Sequence, residues 1–270
     1  MRSTPDVRFA VTRLSTGPRI HYAEQGDPGG DPIVMLHGWP DSWFSFSRVL
    51  PLLSPLLRVV VPDQRGFGDS EKPATGYAIS DFADDAVALL DALSIERATV
   101  VGHSFGSFVA RRVALTSPDR VTRLILIGTA VSALSPVTRD AQKALRDLPN
   151  PVPEEFAREF QAGTVFAPVP APFFERVVVE SLKLPAHVWR GALDGLLAYD
   201  DAAQLPRITL PTLLMWGEHD ALFARADQAR LIDTIRGATL KVYPETGHCP
   251  NWERPDQIAT DLQAFLQRPA

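Results

Sequence analysis

Short apolar runs alternate along the chain with longer segments of helical periodicity, and this rhythm predicts strands joined by crossover helices in a largely parallel sheet of the α/β class. Pro32–Leu36, Val59–Val61, Ala98–Val101, Leu124–Ile127 and Leu213–Trp216 are apolar at consecutive positions, the pattern of strands covered on both faces. Leu240–Tyr243 predicts a further strand, and Val7–Leu14 with Arg19–Glu24, divided by Gly17-Pro18, predicts an antiparallel hairpin at the sheet edge. Between strands, Ser80–Leu93 sets Phe82, Ala86, Leu89, Leu90 and Leu93 on one helical face, with acidic residues in the first turn where the helix dipole favours them. That helix is expected to pack on the sheet.

The rhythm breaks once. After the strand ending at Gly128, about eighty residues pass before Leu213, too many for a loop in a compact domain. The stretch is rich in Phe and Val and is interrupted by prolines such as Pro136, Pro153, Pro172 and Pro185, which predicts short helices folded over the sheet edge. The expected organisation is a core domain of residues 1–129 and 207–270, interrupted by a helical cap over 130–206.

Four segments carry candidate chemistry. Gly102-His103-Ser104-Phe105-Gly106 matches G-x-S-x-G directly after a buried strand and before a helical pattern, Phe108–Leu115. A sharp strand-to-helix turn lifts the serine into the open, and the small neighbours let the chain segments approach. A serine hydroxyl needs an imidazole to take its proton and a carboxylate to fix that imidazole's tautomer. In the order serine, acid, histidine, the base is His248, the only histidine of the last stretch, and the acid is Asp220, in the loop after Leu213–Trp216, with Glu218 in reserve. The turn His37-Gly38-Trp39-Pro40 is expected to supply one oxyanion N–H, from Trp39, and Phe105 the other. His21, His37, His103, His187 and His219 are given no catalytic role.

Composition narrows the partners. The chain has 270 residues, a formal net charge of -5 and interspersed acids and bases, so neither nucleic acid nor a membrane surface is expected as a partner. Histidines at helical ligand spacing are lacking and Cys249 is the single cysteine, so no metal and no cofactor is expected, and no internal disulfide can form. Met1–Asp6 lacks the apolar run of a secretory signal, which points to the cytoplasm. A homodimer is left open.

His37-Gly38-Trp39-Pro40, Asp63-Gln64-Arg65-Gly66-Phe67-Gly68-Asp69-Ser70, Gly102–Gly106 and Gly247-His248 occur in register over most of the chain, which thereby resembles the capped α/β-hydrolases. The resemblance implies a mostly parallel eight-stranded sheet flanked by helices, with the cap inserted after the sixth strand. Pro32–Val121 is similar to epoxide hydrolases and haloalkane dehalogenases, but the serine matches the esterase, lactonase and perhydrolase side of the superfamily. In the epoxide and halide enzymes an aspartate forms an alkyl ester that water reopens. Serine would form an ether with no carbonyl to attack, so those activities are not expected. Carbon–carbon bond hydrolases of this fold use serine, but with a glycine-rich oxyanion turn where this chain has Trp39-Pro40. A serine hydrolase of small apolar esters or lactones is expected. A cofactor-free perhydrolase and a ligand-sensing receptor that keeps the triad are the alternatives from other classes. Apolar cap residues, among them Phe156, Phe160, Phe173, Trp189, Leu193 and Leu196, are expected in part to cover the sheet edge and for the remainder to roof the pocket, with Trp39 in its wall.

Overall fold

Eight strands form one sheet in the order β1-β2-β4-β3-β5-β6-β7-β8 in the computed structural model, which describes residues 7–268. The segment Met1–Asp6, read above for the absence of an apolar run, lies outside the described residues. β1 (Arg8–Arg13) and β2 (Arg19–Gly26) make the expected antiparallel hairpin, closed by Gly17 at φ 116°. β2 also runs antiparallel to β4 (Leu57–Pro62), and from there β3 (Asp31–Leu36), β5 (Ala98–His103), β6 (Val121–Ile127), β7 (Thr212–Gly217) and β8 (Thr239–Tyr243) are all parallel.

The consecutive apolar runs are explained by the two faces they serve. Val34, Leu36, Val60, Val100, Leu124 and Leu126 join one core cluster, with α1 (Ile79–Ala92) and α2 (Phe105–Thr116). The alternate residues Ile33, Met35, Val59, Val101 and Ile125 join the other, with Ile258, Leu262 and Phe265 projecting from the C-terminal helix over Pro255–Leu266. Each fully buried aliphatic side chain contributes about 1.5–3 kcal/mol, so a one-residue slip of any central strand is strongly disfavoured. β8 is an edge strand with one buried residue, Tyr243.

The long insertion between β6 and β7 holds four helices: α3 (Pro136–Leu145), α4 (Glu154–Ala162), α5 (Ala171–Leu182) and α6 (Ala186–Leu197). Proline marks every start, at the first turn of α3 and α5 and at the residue before α4 and α6, where its missing N–H costs nothing. After β7 come α7 (Arg225–Thr234), the single turn α8 (Pro250–Glu253) and α9, the Pro255–Leu266 helix. No helix among the described residues is long and apolar enough to cross a membrane.

Candidate active site

β5 ends at His103 and α2 begins at Phe105, so the whole reversal from strand to helix falls on Ser104. Its backbone sits at φ 50° and ψ -118°, a region that residues with side chains avoid. The glycines on either side permit it. A Cβ on Gly102 would stand 2.2 Å from the Gly106 carbonyl oxygen, and one on Gly106 would stand 2.2 Å from that of Leu36. The second approach presses the first turn of α2 against the end of β3, where the turn containing Trp39 begins. Phe105 is the first residue of α2, so its N–H lacks an intrahelical acceptor and lies at the positive end of the helix dipole.

His248 Nε2 lies 2.7 Å from Ser104 Oγ, and His248 Nδ1 lies 2.9 Å from Asp220 Oδ2. The other Asp220 oxygen accepts the backbone N–H of Leu222 at 2.9 Å and of Phe223 at 3.0 Å, which fixes the carboxylate plane. A carboxylate at Nδ1 requires the hydrogen there, and the Nε2 lone pair is left to receive the serine hydroxyl proton. The structure brings Ser104, Asp220 and His248 into one hydrogen-bonded row. Glu218 is exposed and stands outside it.

The loop carrying His248 is anchored from two sides. Glu253 accepts the Gly247 N–H at 2.9 and 3.0 Å through its two oxygens, and also the N–H groups of Phe166 and Ala167 in the insertion, at 3.1 and 2.7 Å. The His248 N–H donates to the Thr164 carbonyl at 2.9 Å. Sequence reading missed Glu253, whose partners are all backbone groups and leave no trace in residue types.

A cavity of about 410 Å³ opens over Ser104. Its apolar wall is supplied by Trp39, Phe160, Leu193, Leu196, Leu222 and Phe223, with Val137 and Ala141 of α3. Of the apolar residues of the insertion named above, Phe160, Leu193 and Leu196 reach the cavity and the rest are packed elsewhere. Trp189 is fully buried behind Trp39, with ring centroids 5.2 Å apart, Phe173 packs on Trp252, and neither lines the cavity, nor does Phe156. α3 lines it because α3 packs on α6, which the polar composition of α3 did not suggest. Lys183 is drawn outward by Asp69 and Glu180, at 2.8 and 2.9 Å, and Arg190 donates to the Leu148 carbonyl.

Two of the histidines set aside are structural parts of this site. His37 is fully buried; its Nδ1 donates to the Gly38 carbonyl at 2.7 Å and its Nε2 accepts the Gln64 N–H at 3.1 Å, so it pins the turn before Trp39. His103 Nε2 stands 3.1 Å from the His248 carbonyl, and burial together with the neighbouring His248 lowers the His103 pKa to about 3. Sequence reading also missed Asp41, a buried carboxylate in the cavity wall that accepts from Gln161 at 3.0 Å and Ser45 at 3.2 Å. Burial raises its pKa to about 6. The one group of potential metal ligands among the described residues is His21, Asp63 and Asp69. Its atoms are already engaged, Asp63 with His21 and with the Asp69 N–H, and Asp69 with Lys183.

Residues 31–255 match the family model of the alpha/beta hydrolase fold. The chain is 33% identical to a non-heme chloroperoxidase of Streptomyces lividans, over 96% of this chain and 100% of the relative. It is 32% identical to a 2-hydroxymuconate semialdehyde hydrolase of Pseudomonas sp. strain CF600, over 98% and 95%. Among solved structures, a hydrolase from Pseudomonas aeruginosa PA01 superposes with a TM-score of 0.88 at 27% identity, covering 97% of this chain and 99% of that one. On this match, and with the strand order and serine turn already described, the chain belongs to the alpha/beta hydrolase fold family.

Proposed function

We propose that this chain is a serine hydrolase that cleaves a carboxylic ester or lactone of a small, largely apolar substrate through an acyl-enzyme. The observation that carries the reading is the row Asp220–His248–Ser104, ending on a hydroxyl at the floor of a mostly apolar cavity. Ser104 attacks the carbonyl carbon while His248 takes its proton; the oxyanion is held by the N–H groups of Trp39 and Phe105. His248 then returns the proton to the leaving alcohol, and water repeats the sequence on the acyl-enzyme. Asp220 keeps the tautomer and stabilises the imidazolium. Residues 130–206 act as the cap over a core of 1–129 and 207–270.

The test is hydrolysis of p-nitrophenyl esters of increasing acyl length, with kcat/KM rising from acetate toward butyrate or hexanoate and falling where the cavity ends. Each buried methylene contributes about 0.8 kcal/mol until the space is filled. A profile flat with chain length refutes the apolar pocket. Ser104→Ala is expected to lower kcat by about 10⁴-fold or more with the fold retained, and substantial residual activity refutes the nucleophile. The chloroperoxidase name of a relative matched over nearly its whole length favours one second reading, attack of peroxide on the same acyl-enzyme. Halide oxidation by peroxide that depends on a short carboxylic acid and on Ser104 would select it.

A further inference from the structure

The polar side of the cavity brings together two acceptors, one without a donor and the other with only a neutral hydroxyl donating to it. The His248 carbonyl can only accept, so His103 Nε2, at 3.1 Å, carries the ring hydrogen, and Nδ1 of the neutral imidazole is left as an acceptor. That Nδ1 is buried and has no hydrogen-bond partner. Asp41 Oδ2 stands 3.9 Å from it and is an acceptor too. Both residues line the cavity together with Ser104. A Cβ built on Gly38 would be 3.1 Å from Asp41 Oδ2, 3.1 Å from His103 Nδ1 and 3.2 Å from Ser104 Cβ, so the glycine packs closely against all three residues and draws them together at one edge of the cavity.

Two acceptors at this separation call for a group with at least two hydrogens to give. A hydroxyl has one and would turn its oxygen toward the second acceptor. A primary amine has enough, and as an ammonium it also matches the charge of the walls. The charged residues lining the cavity, apart from imidazoles, are Asp41 and Glu159, with no Lys or Arg among them. Asp41 is 4% exposed and has no cationic side chain bonded to it; its donors are the neutral Gln161 and Ser45. Its desolvation is already incurred on folding, so an arriving cation gains the full charge-assisted bond at no further cost to the carboxylate.

We propose that Asp41 and His103 form a subsite for a primary amino group placed two or three bonds from the scissile carbonyl, making the preferred substrate a short aminoacyl ester or lactone. This rests on the serine-hydrolase reading above and specifies its substrate class. The amino group donates one hydrogen to Asp41 Oδ2 and one to His103 Nδ1, while the rest of the acyl group lies against Leu193, Leu196 and Phe223.

The experiment compares the methyl esters of butyrate, 2-aminobutyrate, 3-aminobutyrate, 3-hydroxybutyrate and 3-(trimethylammonio)butyrate, by acid release at pH 7. Each kcat/KM is divided by the rate of alkaline hydrolysis to remove intrinsic reactivity. At least one amino ester is expected to exceed butyrate by about tenfold or more. The trimethylammonio ester, which keeps charge without N–H, and the hydroxy ester are expected near butyrate. Asp41→Asn turns one acceptor into a donor and removes the charge, so the amino-to-butyrate ratio is expected to fall to near one. Because it is a ratio within one protein sample, partial misfolding of the variant leaves it unaffected, and the wild-type series stands without it. Parity across the wild-type series, equal preference for the hydroxy ester, or a preference that survives Asp41→Asn overturns the subsite. Failure to hydrolyse any ester overturns the underlying hydrolase reading instead.

Discussion

Asp41→Asn should make the protein more stable at pH 8 and leave its stability nearly unchanged at pH 4.5. Burial moves the carboxyl from 3.8 to about 6 in the folded chain, so folding takes up a proton between these values. Stability contributed by this group is therefore greatest below the unfolded value and falls as pH rises through the folded one. Above pH 6 the ionised group costs on the order of 3 kcal/mol relative to its neutral form. Asparagine keeps the shape and lets Oδ1 go on accepting from Gln161. The Ser45 hydroxyl, which donates to Oδ2 and whose oxygen already accepts from Trp252 Nε1, loses its acceptor, at about 1 kcal/mol. The net gain at pH 8 is about 2 kcal/mol, or about 4–8 °C in Tm for a chain of this size. At pH 4.5 the folded carboxyl is neutral but the unfolded one is already largely ionised, so the gain shrinks to about 1 kcal/mol and the Ser45 loss offsets it. Thermal melts of both proteins at the two pH values measure the difference, in which the other titrating groups cancel. A Tm change of the same sign and size at both pH values refutes the buried-charge argument.

Asp220→Asn is expected to leave the melting temperature nearly unchanged while lowering kcat by about 10³–10⁴-fold, since the amide favours the wrong His248 tautomer; near-normal turnover would move the role elsewhere. Gly106→Ala places a methyl group 2.2 Å from the Leu36 carbonyl oxygen, a backbone atom that cannot swing aside. A loss of about 3 kcal/mol or more, with activity lost in parallel, is expected, and a soluble variant of wild-type stability contradicts the close approach. Arg111→Met strands Asp201, its fully buried partner at 2.8 Å, and should cost about 3–5 kcal/mol by denaturant titration. Arg111→Met with Asp201→Leu should recover most of this loss, and a double variant no better than the single one denies the pair its coupling.

How much of this was legible in the sequence follows from where each signal resides. The central strands were readable because parallel strands are covered on both faces, which forces runs such as Val59–Val61 to be apolar at every position. Ser104 was readable because its elbow demands glycine at 102 and 106, and His248 because chain order left one histidine after the last strand. Asp41 was not, because an acid beside a proline turn ordinarily sits in water, and only the packing of Gln161 and Ser45 removes it. Val137 and Ala141 were hidden for the opposite reason. They are sparse apolar positions on an otherwise polar helix, and the face that α3 turns to the cavity is decided by its packing on α6.

The anchoring of the insertion bears on how the proposed cap can work. Gln161 reaches down to Asp41, just beyond the turn that carries Trp39. Thr164, Phe166 and Ala167 are tied to His248 and to the Glu253 that holds Gly247. Asp201, past the last helix of the insertion, pairs with Arg111 two turns into the helix that opens beside Ser104. The elements bearing Trp39, His248 and Ser104 thus each meet the insertion through a buried polar contact, and such contacts are costly to leave half-made. A rigid opening of the whole insertion would break all three at once, costing Asp41 its Gln161 donor, Asp201 its Arg111 partner and Glu253 the N–H groups of Phe166 and Ala167. For the proposed hydrolase, a displacement of α3 alone would open the cavity at lower cost. That helix is partly exposed, and its contact with the rest is largely a packing against α6, which can separate without stranding a buried charge.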